Sequence, residues 1–252
     1  MVSSDKKIYL LVCEGPTDIA VIRALTQKVE ETTGKEVEIR ELSPRLDKTT
    51  GNYPSQGWTE VKSWCESYSI NKSITIPDDL DVWKKKLLQQ RMSFRWDTLL
   101  KSSGANGIIL QIDTDIVEKM THEDFSTSGL TRKKFAYNAV NLWLNENDKP
   151  DDFYYIMSTF STETWLLATH EICEDNAHIL GDLAAIDNYE VIDNIEARLI
   201  ALGYSKQMKN GQARLRKEPQ IYKKYGEQIA SKIDLVKSRC PEADSFYTFL
   251  ND

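Results

Sequence analysis

Three apolar runs in this chain lead into carboxylates. Ile8–Cys13 carries no charge and is followed by Glu14-Gly15-Pro16-Thr17-Asp18. Ile108–Ile112 is followed by Asp113-Thr114-Asp115, and Phe153–Met157 precedes Ser161-Thr162-Glu163-Thr164-Trp165-Leu166-Leu167-Ala168. A strand that is apolar throughout is one buried on both faces, the condition of a parallel sheet covered by helices. In open sheets of that kind the ligand crevice lies outside the carboxyl ends of the strands. Carboxylates converging there suit a hard divalent cation, magnesium or manganese. The pattern predicts an α/β fold and metal-assisted chemistry on phosphates.

The segments between the runs agree with that expectation. After Gly15-Pro16, the residues Ile19, Ala20, Ile22, Ala24, Leu25 and Val29 recur at helical spacing, and Pro16 suits a first helical turn. Val37–Leu42 alternates apolar and polar residues, as an edge or half-buried strand does. Residues 43–57, rich in Gly, Pro, Ser and Thr, form a long loop, and Trp58–Tyr68 a short helix. Ile70–Ser103 contains Pro77-Asp78-Asp79 and a helical stretch near Leu80–Leu100, an inserted lid or excursion. Gly104–Asp113 is a second buried strand, Leu130–Leu144 an amphipathic helix, and Phe153–Met157 a third central strand. Beyond Trp165 the pattern turns helical: Tyr189–Leu202 stops at Gly203, and further helices cover Pro219–Ile229 and Ser245–Leu250. One domain over residues 1–252 is expected. Its core is 6–42 and 104–170, with a helical insert at 58–103 and a C-terminal helical extension at 171–252.

Composition narrows the function classes. No apolar stretch approaches the roughly 20 residues of a membrane helix, and the short polar start, Met1–Lys7, has no signal-peptide character. A cytoplasmic protein without membrane association is expected. Cys13, Cys65, Cys173 and Cys240 form no disulfide framework, and His170, Cys173 and His178 lack a fourth zinc partner at suitable spacing. The net charge of −7 argues against diffuse nucleic-acid binding. Charge is uneven, however. Between Lys206 and Lys224 seven basic residues (Lys206, Lys209, Arg214, Arg216, Lys217, Lys223, Lys224) face one acid, Glu218. Such a segment is either a solvated surface or an anion-binding one. The smaller cluster Lys84, Lys85, Lys86, Arg91 and Arg95 is expected to be a solvated helix face.

Each acid has a plain structural role to set beside a chemical one. If the strand continues, Asp113 and Asp115 share a face and could share a metal ion, but the same spacing serves an Asx turn. Glu14 ends the first strand beside a glycine that admits close approach. It could bind metal or act as general acid or base once neighbouring acids raise its pKa. Asp18 and Glu163 both suit the first turn of a helix. Glu163 is followed at once by Trp165-Leu166-Leu167-Ala168, which should draw that turn into the core and leave the acid in need of a partner.

Glu14-Gly15 after one strand with Asp113-Thr114-Asp115 after a later one resembles the TOPRIM domain. That domain is the metal-binding fold of topoisomerases, primases and overcoming-lysogenization-defect-type nucleases. The chain is more similar to small stand-alone TOPRIM-like proteins of prokaryotes, often found beside ATPase genes and linked to phage defence. The likeness lies in the Glu-Gly-x-Thr-acid start, the acid-Thr-Trp-Leu-Leu-Ala helix and the tail. That tail is Tyr222-Lys223-Lys224, Gly226, Ile229-Ala230, Ile233, Cys240-Pro241, Phe246 and Phe249. It spans most of the chain and thins between Ser43 and Ser103.

The resemblance implies a TOPRIM/Rossmann-like sheet and a magnesium- or manganese-dependent endonuclease acting on DNA or RNA. It implies Glu14 as general acid/base, Asp113 and Asp115 as catalytic metal ligands, and Asp18 and Glu163 as accessory metal-site acids. Lys223 and Lys224 would contact phosphate, with Arg214, Arg216 and Lys217 in the same nucleic-acid-binding stretch. It further implies a toxic anti-phage effector restrained by an ATPase partner, and leaves a homodimer open. The segment 43–103, with Trp58, Trp64, Trp83 and Trp96, is the expected docking surface, unless the tryptophans simply anchor the insert. Two other readings stand: a non-catalytic TOPRIM-like subunit that binds an ATPase or nucleic acid, and a primase-like nucleotidyl transferase, for which no accompanying zinc or helicase segment is present.

Overall fold

The computed structural model describes residues 6–69, 80–86, 95–158 and 162–252. Pro77-Asp78-Asp79, Arg91, Ser161 and the middle of the helical stretch expected near 80–100 lie outside the described residues. Four strands form one sheet: β1 (Lys7–Val12), β2 (Val37–Ser43), β3 (Gly107–Asp113) and β4 (Phe153–Ser158). They are ordered β2-β1-β3-β4 and all run parallel, with Leu10 beside Ile108 and Leu110 beside Tyr155. This is an open, Rossmann-like α/β sheet. β1 and β3 occupy its centre; β4, expected to be central, is an edge strand. Its continuous apolarity comes from helices packed on both of its faces, not from a neighbour on each side.

Alternation along the strands feeds two cores. Tyr9, Leu11, Ile109 and Ile156 point to one side, while Leu10, Val12, Ile108, Leu110, Ile112 and Met157 point to the other. On the second side lie α2 (Trp58–Tyr68), α3 (Trp96–Ser103) and α4 (Arg132–Leu144). The segment expected to be an excursion therefore supplies a layer of the domain: its described helices bury Val61, Trp64, Cys65, Trp96 and Leu100 against the sheet. Trp58 stacks on Trp143 at 6.4 Å. Three of the four tryptophans assigned to docking are thus packing residues, and Trp83 alone of them is largely exposed, at 63%.

The first side is covered by α1 (Pro16–Thr33), α5 (Glu163–Ala168) and the chain beyond residue 171. That chain is no appendage. Its helices α6 (Ile195–Ala201), α7 (Pro219–Ser231), α8 (Ile233–Arg239) and α9 (Pro241–Asn251) share one core with β1 and α1. Gly226 in α7 sets the closest approach to α1: a Cβ there would meet Ala24 Cβ at 2.9 Å and Ala20 O at 3.0 Å. The helix expected over Tyr189–Leu202 is broken into a 3₁₀ turn, Tyr189–Val191, and α6. Asn188 accepts the Glu190 N–H, and Asn194 adopts a left-handed conformation (φ 57°), both turn chemistry that Asn tolerates.

The extension is also not wholly helical. β5 (Lys206–Lys209) and β6 (Gln212–Leu215) form an antiparallel hairpin around Asn210-Gly211. Among the described residues, no helix is long and apolar enough to cross a membrane.

Candidate active site

The sheet order reverses between β1 and β3, since β2 continues outward from one and β4 from the other. A crevice opens at such a point. Glu14 follows the end of β1 and Asp113 ends β3, so adjacent parallel strands deliver both to one place. Backbone and side chain interlock there. Glu14 Oε1 accepts the Asp113 N–H at 2.8 Å. Gln111, fully buried on β3, accepts the Glu14 N–H at 3.2 Å and donates Nε2 to Asp113 Oδ1 at 2.9 Å.

A cavity of about 220 Å³ lies beyond these strand ends, lined by Glu14, Gly15, Asp18, Gln56, Asp113 and Lys217 among others. Asp18 comes from the first turn of α1, is buried, and accepts the Thr162 hydroxyl at 3.1 Å. The loop 44–57 returns to the site through a hydrogen bond from Gly57 N–H to Glu14 O (2.6 Å), which brings Gln56 to the rim. Gly15 has extended backbone, and an added Cβ would find only ordinary contacts. Its glycine leaves space and is not demanded by conformation. A larger cavity, about 580 Å³, opens beside Arg45, Trp64 and Tyr68, but none of the five carboxylates lines it.

Asp115 departs from expectation. β3 stops at Asp113 and the chain turns into a 3₁₀ helix over Thr114–Ile116, so the two aspartates do not share a strand face. Asp115 is exposed and does not line the cavity, although its charge is felt at Glu14. Glu163 is the first residue of α5 and is buried with the rest of that helix. Its partners are Lys217, at 3.0 Å, and the Tyr222 hydroxyl.

The charges are strained towards neutrality. Burial, reinforced by Asp18 and Asp115 and opposed by the Asp113 N–H, pushes Glu14 up to about 8. Burial and then Glu163 push Asp18 up to about 6, with Lys217 and Thr162 pulling the other way. Asp113 is raised well above the usual carboxylate range by burial and by Glu14, and Asp115, though exposed at its surface, is raised chiefly by partial loss of solvent around its carboxylate. Burial works against the Lys217 charge, but Glu163 and Asp113 outweigh it and hold the ammonium in its charged form.

The basic stretch divides. Lys217, expected on a nucleic-acid surface, stands inside the acidic cavity. Arg214 pairs with Glu196 (2.8 Å) and Arg216 with Glu218 (3.3 Å). Lys223 and Lys224 are exposed on α7, with Lys223 lining a groove against α1 beside Arg23. His170 bonds to the Tyr204 hydroxyl at 2.7 Å. Gln111 was not singled out by motif, and Thr162 and Tyr222, which stand within the quoted motifs, were given no role at the site. A glutamine in the otherwise apolar run Ile-Ile-Leu-Gln-Ile was the available signal for the first, because a buried amide requires partners.

As the side chains lie, no three Asp, Glu, His or Cys among the described residues form a group that could hold a metal ion. The donor chemistry nonetheless fits one. Glu14, Asp18 and Asp113 are hard oxygen donors around a single cavity, and each has its pKa raised, the response of carboxylates removed from solvent and short of positive charge. Comparison with family models, with curated proteins and with solved structures found no match to this chain.

Proposed function

We propose that this protein is a TOPRIM-type, magnesium- or manganese-dependent nuclease that cleaves phosphodiesters. The observation that carries the reading is the meeting of Glu14, Asp18, Asp113 and Lys217 at one cavity outside the carboxyl ends of the two central strands. Glu14 and Asp113 would hold the cation, with Asp18 beside them and Asp115 and Glu163 in outer positions. A bound divalent ion would supply a water of lowered pKa and stabilise the charge on the leaving oxygen.

The chain's own residues account for the rest. Burial raises Glu14 to about 8 in the metal-free chain; with a cation bound the carboxylate would be held ionised, ready to accept a proton from the attacking water. Lys217 presents a fixed positive charge to the phosphate. Gln111 holds the Glu14 main chain and the Asp113 carboxylate in register, so the two acids cannot drift apart.

The test is incubation of the purified chain with plasmid DNA and with total RNA, in magnesium, in manganese and in chelator. Metal-dependent cleavage lost in Glu14→Gln and Asp113→Asn supports the reading. Equal cleavage by those variants would remove it.

A second reading is favoured by Lys217 itself. An ammonium already placed among the acids gives the site a cation without metal, as a non-catalytic docking subunit would need. Absence of any metal-induced rise in melting temperature would favour that reading. A defence role under an ATPase partner belongs to the proposal through the family resemblance alone. Co-expression with the genomic neighbour tests that role: relief of toxicity supports it, and toxicity unchanged by the neighbour removes it.

A further inference from the structure

The β5–β6 hairpin has no packing role to explain it. Every residue from Lys206 to Arg214 is exposed, and only Leu215, at the base, enters the core. The turn residues Asn210 (φ 51°) and Gly211 (φ 75°) both take positive φ, the geometry of a tight two-residue hairpin turn whose twist matches the strands. The base is anchored. Arg216 N–H donates to Ser205 O at 2.9 Å, Leu215 N–H to Glu196 Oε1 at 2.5 Å, and Arg214 pairs with Glu196. The ribbon is thus a defined arm on a fixed base, made of residues that contribute almost nothing to burial.

Its two faces differ. Cross-strand partners share a face, and they are Gln207 with Arg214 and Lys209 with Gln212 on one, Lys206 with Leu215 and Met208 with Ala213 on the other. The first face therefore carries four long hydrogen-bonding side chains and nothing else. Gln, Lys and Arg are the side chains that address base edges in the major groove of B-form DNA, which is about 12 Å wide and admits a two-stranded ribbon. The deep, narrow major groove of A-form RNA does not. Four residues per strand plus the turn extend the tip about 15 Å from the base. Two residues beyond Leu215 the chain places Lys217 in the acidic cavity. Two residues of chain span at most about 7 Å, so the base of the arm adjoins the cavity.

We propose that the β5–β6 ribbon is a groove-reading arm that seats double-helical B-form DNA, with Gln207, Lys209 and the Gln212 amide towards the base edges and the backbone presented to the acidic cavity. The inference deepens the nuclease reading by naming its substrate class, and it rests on that reading for the second half of the statement. It also separates the basic stretch into parts with different tasks. Lys209 has no acidic partner among the described residues and addresses the duplex, whereas Arg214 is shared with the anchor Glu196.

The test uses the full chain carrying Asp113→Asn, in chelator, so that binding is measured without cleavage. Fluorescence anisotropy would be recorded on a DNA duplex of about 20 base pairs, the RNA duplex of the same sequence and each single strand. The expected result is at least about tenfold tighter binding to the DNA duplex than to the others. Lys209→Glu and the double variant Gln207→Ala/Gln212→Ala, all at exposed positions, should each remove most of that preference with an unchanged melting temperature. Equal affinity for DNA and RNA duplexes, or affinity unmoved by the ribbon variants, overturns the assignment.

Hydrolysis of bis(p-nitrophenyl) phosphate keeps the two readings apart, since that ester is too small to reach the arm. Ribbon variants in the otherwise wild-type chain should hydrolyse it normally. Ribbon-dependent DNA binding without any metal-dependent ester hydrolysis would sink the nuclease and leave the arm.

Discussion

Two groups of buried acids flank the same sheet and differ in how their oxygens are used. Beside β4, Glu242 is 3% exposed; its Oε1 accepts the Met157 N–H at 3.1 Å and its other oxygen pairs with Lys133. Glu190 next to it accepts the Glu242 N–H at 2.9 Å and the Trp165 indole N–H at 3.4 Å. These carboxylates tie the start of α9 to the sheet edge and to α5, and their acceptor capacity is spent on fixed donors. At the carboxyl ends of β1 and β3, Asp18 is similarly buried and Glu14 and Asp113 partly so, but all three face a cavity, with few donors and one ammonium among them. Burial raises Glu190 as it raises Glu14. A raised pKa therefore does not distinguish a site from a strut; unspent oxygens facing open space do.

The largest expected effect separates the two groups directly. Glu242→Ala should cost about 2–3 kcal/mol of stability, because it strands the buried Met157 N–H and removes the partner of Lys133. Any loss of cleavage should track unfolding. Asp113→Asn should do the reverse, lowering cleavage by about a thousandfold or more while raising the melting temperature of the metal-free protein, because it removes a carboxylate disfavoured by burial and by the charge of Glu14. Thermal melts and plasmid cleavage on both variants decide it. A comparable drop in melting temperature for both would erase the contrast.

Next in size is the response to pH. Glu14 binds its proton more tightly folded than unfolded, so its contribution to stability is complete below about 4.5 and is lost as pH rises through about 8. Asp113 acts in the same direction. His170, lowered by burial, acts the opposite way, but only below its ordinary 6.5, and the buried thiols matter only above about 9. Between pH 7 and 8.5 the metal-free protein should therefore lose roughly 1 kcal/mol of stability per pH unit, and Glu14→Gln should flatten the slope. Glu190, spent on its donors, should leave the slope in this window unchanged when replaced by Gln. An unaltered slope in Glu14→Gln would mean that the acid is ionised and solvated.

The same contrast marks what could be read before the structure. The ends of β1 and β3 were legible because an uninterrupted apolar run has few alternatives to a buried strand, and the residue after it must lie at the sheet's rim. α2 was legible to its termini for a similar local reason. The hairpin was not. A helical trend in the surrounding composition outweighed the local signal, Asn210-Gly211 between two four-residue segments, which is the usual mark of a hairpin. Whether Asp115 shared a strand face with Asp113 hung on the strand's continuing, and nothing local states where a strand gives way to a 3₁₀ turn. The tryptophans of segment 43–103 could be interface or core by type alone, and packing against α4 and the sheet settles three of them as core. Lys217 was the least accessible of all. Its position depends on how the chain beyond residue 171 folds back over α5, a long-range fact with no local code.

Lys217 also provides the smallest and sharpest test of the comparison. It is the cation that the acidic cavity shares, as Lys133 is for Glu242, yet its side chain is about half exposed (53%) and solvent screens it. Lys217→Met should therefore destabilise the metal-free protein only modestly, by about 1 kcal/mol at pH 8, with a smaller effect at pH 6 where more of the acids are protonated. Added manganese should then raise the melting temperature of Lys217→Met more than that of the wild type, because the ion no longer competes with a resident ammonium for the same oxygens. Lys133→Met should show no manganese-dependent gain, since it frees a single oxygen of Glu242 while the other stays on the Met157 N–H. An identical manganese response in wild type and Lys217→Met would place the ammonium outside the ion's field, and Lys217 would then be an anchor for Glu163 alone.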